Sequence, residues 1–379
     1  MSDHWRLTIR TTAPGQAYSL DINSGTGIDI DIDWGDGTVL KYTTTGIKSR
    51  TYALAGTYRV RVSGSMTAGN IRQDATGTYA NAPKVRATSV IKGITGIANF
   101  RETLRGCTNL TAVPVDTFRN YPAIAVSGFY ATFQSCTGLT ALPTDLFRYN
   151  TALSGEGFIS TFYGCAGLTA LPTDLFRYNT AVSTQGFYRA FRHCAGLTAL
   201  PTDLFRYNTA VSSYGFYETF YGCTKLQLNS WIFFATGEEG TRFLNRVSNL
   251  EGCFRLAAAF TGTQGTAPTL WDADYGSVMT IDVAPVTDWA ATDIITGQTS
   301  GATCVIISKV TSTTYRVFKN RGVFTLGEII GVTGNADKLA DQGAAHPTFT
   351  LIPVKANCFT GHDAASLTNY GDIPADWRS

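Results

Sequence analysis

Apolar positions recur along this chain in two rhythms. Between residues 5 and 64 they alternate with polar ones, as in Trp5, Leu7 and Ile9, then Ile28, Ile30 and Ile32, then Val60 and Val62. A period of two predicts short antiparallel strands with one buried face. From about residue 90 to 260 the spacing lengthens. Phe187, Phe191 and Cys194 stand at i, i+4 and i+7, which predicts a short helix with one inward face. Leu197–Pro201 follows, predicted as a short edge strand that its proline ends. Pro201–Phe205 predicts a second helical start, with Asp203 in its first turn and Leu204 and Phe205 to bury.

This arrangement returns at a fixed step. Cys107, Cys136, Cys165, Cys194, Cys223 and Cys253 fall at intervals of 29, 29, 29, 29 and 30 residues. No single copy can bury its own apolar face, so a period of that length predicts stacked coils, a solenoid closed by unlike end caps. One cysteine per coil beside a phenylalanine predicts a structural column of buried thiols. No CxxC pair occurs and the four histidines are scattered, so no metal and no cofactor is expected. Asp116, Asp145, Asp174 and Asp203 each precede an arginine by three residues, which predicts surface ion pairs more than a free basic stripe.

Most positions repeat from copy to copy, but Gly155–Glu156, Thr184–Gln185 and Ser213–Tyr214 do not, nor do Gln134–Ser135, Tyr163–Gly164 and Arg192–His193. Packing would have kept them alike. They are expected to face solvent along one edge. That edge reads either as drift at exposed sites, which tolerate change at little cost, or as a contact surface with Gln185, Arg192, His193 and Tyr214 as its candidate residues.

Composition narrows the partners. With 379 residues, 44% hydrophobic and 15% charged, the chain is globular and long enough for several modules. A net charge of +2 without a basic block argues against nucleic acid and anionic membrane surfaces. The first residues show no secretory leader pattern, so synthesis in the cytoplasm is expected. No P-loop, GxSxG, HExxH or singular acid pair is present, and no enzymatic role is expected. Asp31, Asp33 and Asp36, weighed as a calcium site, read better as turn caps.

Three resemblances add to this. Asp33–Thr38, with Tyr52 and Gly56–Val60 downstream, resembles the WGDGT and GTY signature of PKD domains, which implies an immunoglobulin-like β-sandwich. Phe162–Pro172 resembles the F-x-G-C-x-x-L-T-x-L-P unit of leucine-rich-repeat-like bacterial surface and phage proteins, a scaffold class that carries no catalytic residue. The stretch from Thr299 to Gly331 resembles small β domains of tailed-phage structural proteins.

Together these give a multidomain α+β expectation: a PKD-like sandwich over 1–66, a leucine-rich-repeat-like α/β solenoid over 67–279, an inserted β module over 280–354 and a C-terminal solenoid cap over 355–379. The expected function is that of a structural virion protein of a tailed bacteriophage, a tail, fibre or attachment component. The alternatives are a capsid decoration protein or a non-viral bacterial surface adhesin. Expected partners are other virion proteins and a host surface glycan or protein, with the chain acting as a homo-oligomer or within a larger assembly.

Overall fold

The computed structural model describes residues 4–73, 82–229, 232–233, 249–256, 277–321, 324, 328–341, 348–351, 358–363, 365–368 and 370–378. The chain divides into two compact units, one comprising 1–235, 249–271 and 355–379, the other 236–248 and 272–354.

The first unit opens with a seven-stranded sheet built from β1 (Trp5–Thr11), β2 (Ala17–Asp33), β3 (Val39–Tyr42), β4 (Gly46–Thr51), β5 (Gly56–Gln73), β6 (Val85–Thr88) and β7 (Ile94–Ile97). Its spatial order is β3-β2-β5-β1-β6, with β4 also on β2 and β7 also on β5. The two long strands pair from Leu20 with Gln73 to Asp33 with Arg61, through register shifts between Ile22 and Asp29. Bulges of this kind bend a strand. Tyr18, at the start of β2, meets Trp34, just past its end, at 6.4 Å between ring centroids. A straight strand of that length would hold them roughly 50 Å apart. One continuous sheet thus folds over its own core of Trp5, Leu7, Ile9, Tyr18, Ile30, Ile32, Trp34 and Val60, in place of the two-sheet sandwich expected over 1–66.

The end of β5 then serves as the floor for the first coil. Asn70 Nδ2 donates to the carbonyls of Asn99 and Arg101, and Thr103 Oγ1 donates to that of Ile71. Arg72 pairs with both Asp21 and Glu102. Burial opposes the charge on Glu102, but Arg105 and Arg72 outweigh it and hold the carboxyl below its ordinary range.

The repeats correct the α+β expectation. Among the described residues the only α-helix is the single turn Ala375–Arg378, and every strand pairing except β5 with β7 is antiparallel, so the fold is β-rich, without the helices of an α/β solenoid. Each coil is instead a ribbon of tight turns. Phe187, Arg189, Phe191 and His193 donate their N–H to the carbonyls of Gly215, Tyr217, Thr219 and Tyr221 in the next coil, at 2.8–3.0 Å. The residues between them, Tyr188, Ala190, Arg192 and Cys194, donate three residues back within their own coil. Every fourth residue is left-handed: Gln185, Arg189 and His193 have φ of 54°, 54° and 61°. An α-helix keeps all residues right-handed and bonds them internally. The i, i+4, i+7 spacing named the inward face correctly but does not distinguish these two backbones, because it reports burial and not the partner of each amide.

Phenylalanines stack through the coils in three columns. One runs Phe133, Phe162, Phe191, Phe220, Phe254 and Phe359, with centroids 5.3–5.7 Å apart. The others pass through Phe129 to Phe216 and Phe118 to Phe233. Leu197–Pro201 contributes only a narrow parallel ladder, bridging Ala199 to Ala170 and to Gln227. Pro201–Phe205 turns without forming a helix. Residues 358–360 resume the stack, since Phe254 and Leu256 donate to the carbonyls of Cys358 and Thr360.

The second unit is another seven-stranded sheet, all antiparallel, of β8 (Ser277–Thr280), β9 (Ile294–Gly297), β10 (Thr303–Thr311), β11 (Thr314–Arg321), β12 (Ile329–Gly331), β13 (Leu339–Asp341) and β14 (Thr348–Leu351), in the order β13-β12-β9-β10-β11-β8-β14. Its core gathers Met279, Trp289, Ile295, Cys304, Ile306, Tyr315 and Val317. The 354/355 boundary expected from sequence lies outside the described residues.

Candidate contact face

The ribbon sends its side chains inward and outward two at a time, with Ala190 and Phe191 buried between the rim pairs Tyr188–Arg189 and Arg192–His193. Phe187 and Phe191 go inward, while the left-handed Arg189 and His193 and the residue before each stand at the rim. A non-glycine residue pays roughly 1–2 kcal/mol for that conformation. The neighbouring coil's carbonyl meets its N–H in return, at 2.8 Å for Gln185, 2.9 Å for Arg189 and 2.8 Å for His193. Gln185, His193 and Tyr214 all occupy left-handed positions, as do Arg189 and Glu218.

Around them lies a cluster spanning three coils. Glu218 accepts from Arg189 Nε at 2.7 Å and from Arg192 Nη1 at 2.5 Å. Tyr188 stacks on Tyr217 with centroids 4.9 Å apart and planes within 9°. Tyr214, 49% exposed, stands edge-on to Tyr217 at 6.1 Å. Arg189 lies over Tyr188 at 4.8 Å, and Arg192 lies over Tyr221 at 4.4 Å. Such stacking holds the guanidinium planes in place. His193 sits edge-on between Tyr163 and Tyr221, and its Nε2 accepts from Arg192 Nε at 3.3 Å. Burial, with the adjoining Arg192 guanidinium, lowers the His193 pKa against the pull of Glu218. The ring is therefore a neutral acceptor near pH 7.

Of the four candidates from sequence, Arg192 and His193 are drawn together, Tyr214 reaches them through Tyr217, Arg189 and Glu218, and Gln185 stands half-buried one coil before Tyr214. Sequence reasoning missed Glu218, Arg189, Tyr188, Tyr217 and Tyr221. Their signal was present: Arg189 and Glu218 are one period apart, as are Tyr188 and Tyr217, so the stack places each pair side by side.

The second rim candidate, the Asp–Arg row, is a ladder. Arg119, Arg148, Arg177 and Arg206 pair with Asp116, Asp145, Asp174 and Asp203 at 3.4–3.7 Å. Arg148 and Arg177 also bridge successive tyrosines among Tyr149, Tyr178 and Tyr207.

All eight cysteines are buried and unbridged. Cys136, Cys165, Cys194 and Cys223 donate Sγ–H to the carbonyls of Leu104, Phe133, Phe162 and Phe191, at 3.0–3.1 Å, with Cys107 heading the column. Burial pushes the Cys223 thiol up to about 12 and raises those of Cys165 and Cys194 as well. Cys253 is not in this column. It precedes Phe254 directly, which puts it in the neighbouring column of Thr132, Thr161 and Thr219. His362 takes the vacated cysteine position, with Nε2 2.9 Å from the carbonyl of Phe254. A further inward column, Asn150, Asn179 and Asn208, donates to two carbonyls of the preceding coil each time.

No group of three or more His, Cys, Asp or Glu among the described residues is placed to hold a metal ion. No helix among them is long and apolar enough to cross a membrane. Comparison with protein-family models, curated proteins and solved structures finds no match to this chain.

Proposed function

We propose that this chain is a contact protein, an attachment or fibre component of a tailed-bacteriophage virion, and that the tyrosine and arginine rim of its coils meets a host surface glycan. The observation that carries the reading is the parallel Tyr188–Tyr217 pair with Tyr214 at its edge, flanked by two guanidiniums already oriented on Glu218. Aromatic faces take the apolar side of a sugar ring, and planar donors take its hydroxyls. Tyr214, Arg189, Arg192 and Glu218 occupy positions that differ between otherwise uniform copies, as expected where the scaffold is fixed by packing and the rim by its ligand. The virion role rests on the sequence organisation: adhesion-type repeats beside a phage-like β module.

The test is a virion carrying Tyr214→Ala and Tyr217→Ala. Host adsorption should fall by at least about tenfold, with particle incorporation and the melting of the purified protein held near the parent values. Normal adsorption with lost incorporation would make the rim a subunit interface. Normal adsorption with normal incorporation would overturn the reading.

A further inference from the structure

A second polar hollow lies on the N-terminal sheet, away from the coils' tyrosine rim. The outward positions of β1 and β5 place Arg6 directly opposite Arg61, and Thr8 opposite Arg59. Like charges facing one another across an antiparallel pair weaken the sheet. Here they line a concavity of about 230 Å³ together with Thr8, Thr88 and Ser89. It adjoins a hollow of about 630 Å³ that shares Arg59 and Arg61 and reaches Asp33, Gly35 and Thr57.

Charge in the groove is not balanced. Asp33 pairs with Arg61 at 2.7 Å and also accepts from Gly35 N at 2.9 Å. Among the described residues no carboxylate pairs with Arg6 or Arg59. The coil arginines differ, since each of the Asp–Arg row has its own acid, and Arg189 and Arg192 share Glu218.

The platform beneath is rigid. Leu7, Ile9, Val60 and Val62 point the other way into the core with no exposure. The rim is tied by Trp5 Nε1 to Thr88 Oγ1 and by Arg6 N to Ser89 Oγ, both at 2.9 Å. Guanidiniums projecting from such a floor suit planar, two-point recognition of a carboxylate or sulfate.

We propose that this groove binds an acidic polysaccharide through its carboxylate or sulfate-ester groups, Arg6 and Arg59 being the anchoring cations. The two hollows joined through Arg59 and Arg61 are longer than one inorganic ion requires, which favours a chain of sugar units. Among the described residues no aromatic ring lines either hollow, although single-stranded nucleic acid depends on such stacking.

The experiment is calorimetric titration of the full chain at fixed ionic strength with oligogalacturonate, a short dextran sulfate, neutral dextran, inorganic sulfate and a DNA oligomer. One of the acidic oligosaccharides should bind and neutral dextran should not. R6Q combined with R59Q should weaken that binding by at least about tenfold. Its ligand-free melting point should hold or rise, because a repelling pair is gone. R148Q, in the Asp-paired row, and the Tyr214/Tyr217 double variant should keep full affinity, which separates this groove from the tyrosine rim. The proposal is overturned if R6Q/R59Q binds like the parent, if inorganic sulfate or DNA binds as tightly as the oligosaccharide, or if no acidic oligosaccharide binds.

Discussion

Gly167 and Gly155 lie twelve residues apart in the same repeat, and neither has a left-handed backbone, yet replacing each by alanine should have opposite outcomes. A Cβ on Gly167 would stand 2.3 Å from the carbonyl oxygen of Thr137 and 2.9 Å from that of Leu139. Both are backbone atoms of the preceding coil and cannot rotate away. To reach an ordinary contact the coils must part by about 1 Å, enough to forfeit a large share of the dispersion across the gap. The same movement stretches the Cys165 Sγ bond to Phe133 O at 3.0 Å and the Phe133–Phe162 stack at 5.4 Å. Overpacking typically costs about 1–3 kcal/mol, and immovable backbone points to the upper end. The loss of unfolded-chain entropy that alanine brings offsets only about 0.4–1 kcal/mol. Gly167→Ala should therefore destabilise by roughly 2 kcal/mol. On Gly155 the added methyl meets nothing nearer than Ser183 Oγ at 3.7 Å, so the entropic term alone remains and stability should rise by up to about 1 kcal/mol. Parallel urea melts of the two variants, read by circular dichroism, measure the difference. If the two midpoints coincide, the close approach of the coils does not limit this stack.

Three further outcomes follow from the columns. Cys165→Ser keeps a donor for the Phe133 carbonyl, so it should cost less than Cys165→Ala, which gives up that bond and leaves a small void, about 1–2 kcal/mol in urea melts; the reverse order would mean that the thiol bond contributes nothing. Glu218→Gln leaves two half-buried guanidiniums without their carboxylate and should lower stability by roughly 1–2 kcal/mol, after allowing for their partial exposure; an unchanged melt would refute the cluster's structural role. Burial lowers the His362 pKa below its ordinary 6.5, so the unfolded chain takes up the proton first and stability should decline as pH falls below about 6.5; His362→Cys, which restores the column's residue, should flatten that decline, and an identical pH profile for the two proteins would exclude His362 as its source.

Part of this was legible in the order of residues alone. The 29-residue period fixed the stacking, and the apolar spacing within it named Phe187, Phe191 and Cys194 as inward, because repetition and burial are properties a sequence writes directly. The same spacing could not tell a helix from a ribbon of turns, since the partner of the Phe191 amide is the carbonyl of Thr219 in another coil. Cys253 shows the same limit at one residue: an interval of 30 in place of 29 looked like a continued column, and only the register of Phe254 on Phe220 moves it one column aside. Tyr214, Arg192 and His193 were found by their variation, but Glu218, which holds the two arginines, and the folding of β2 until Tyr18 touches Trp34 were settled by tertiary structure. A chain specifies locally which side chains must leave water; which amide, charge or ring each then meets depends on what the neighbouring coil or strand presents at that height.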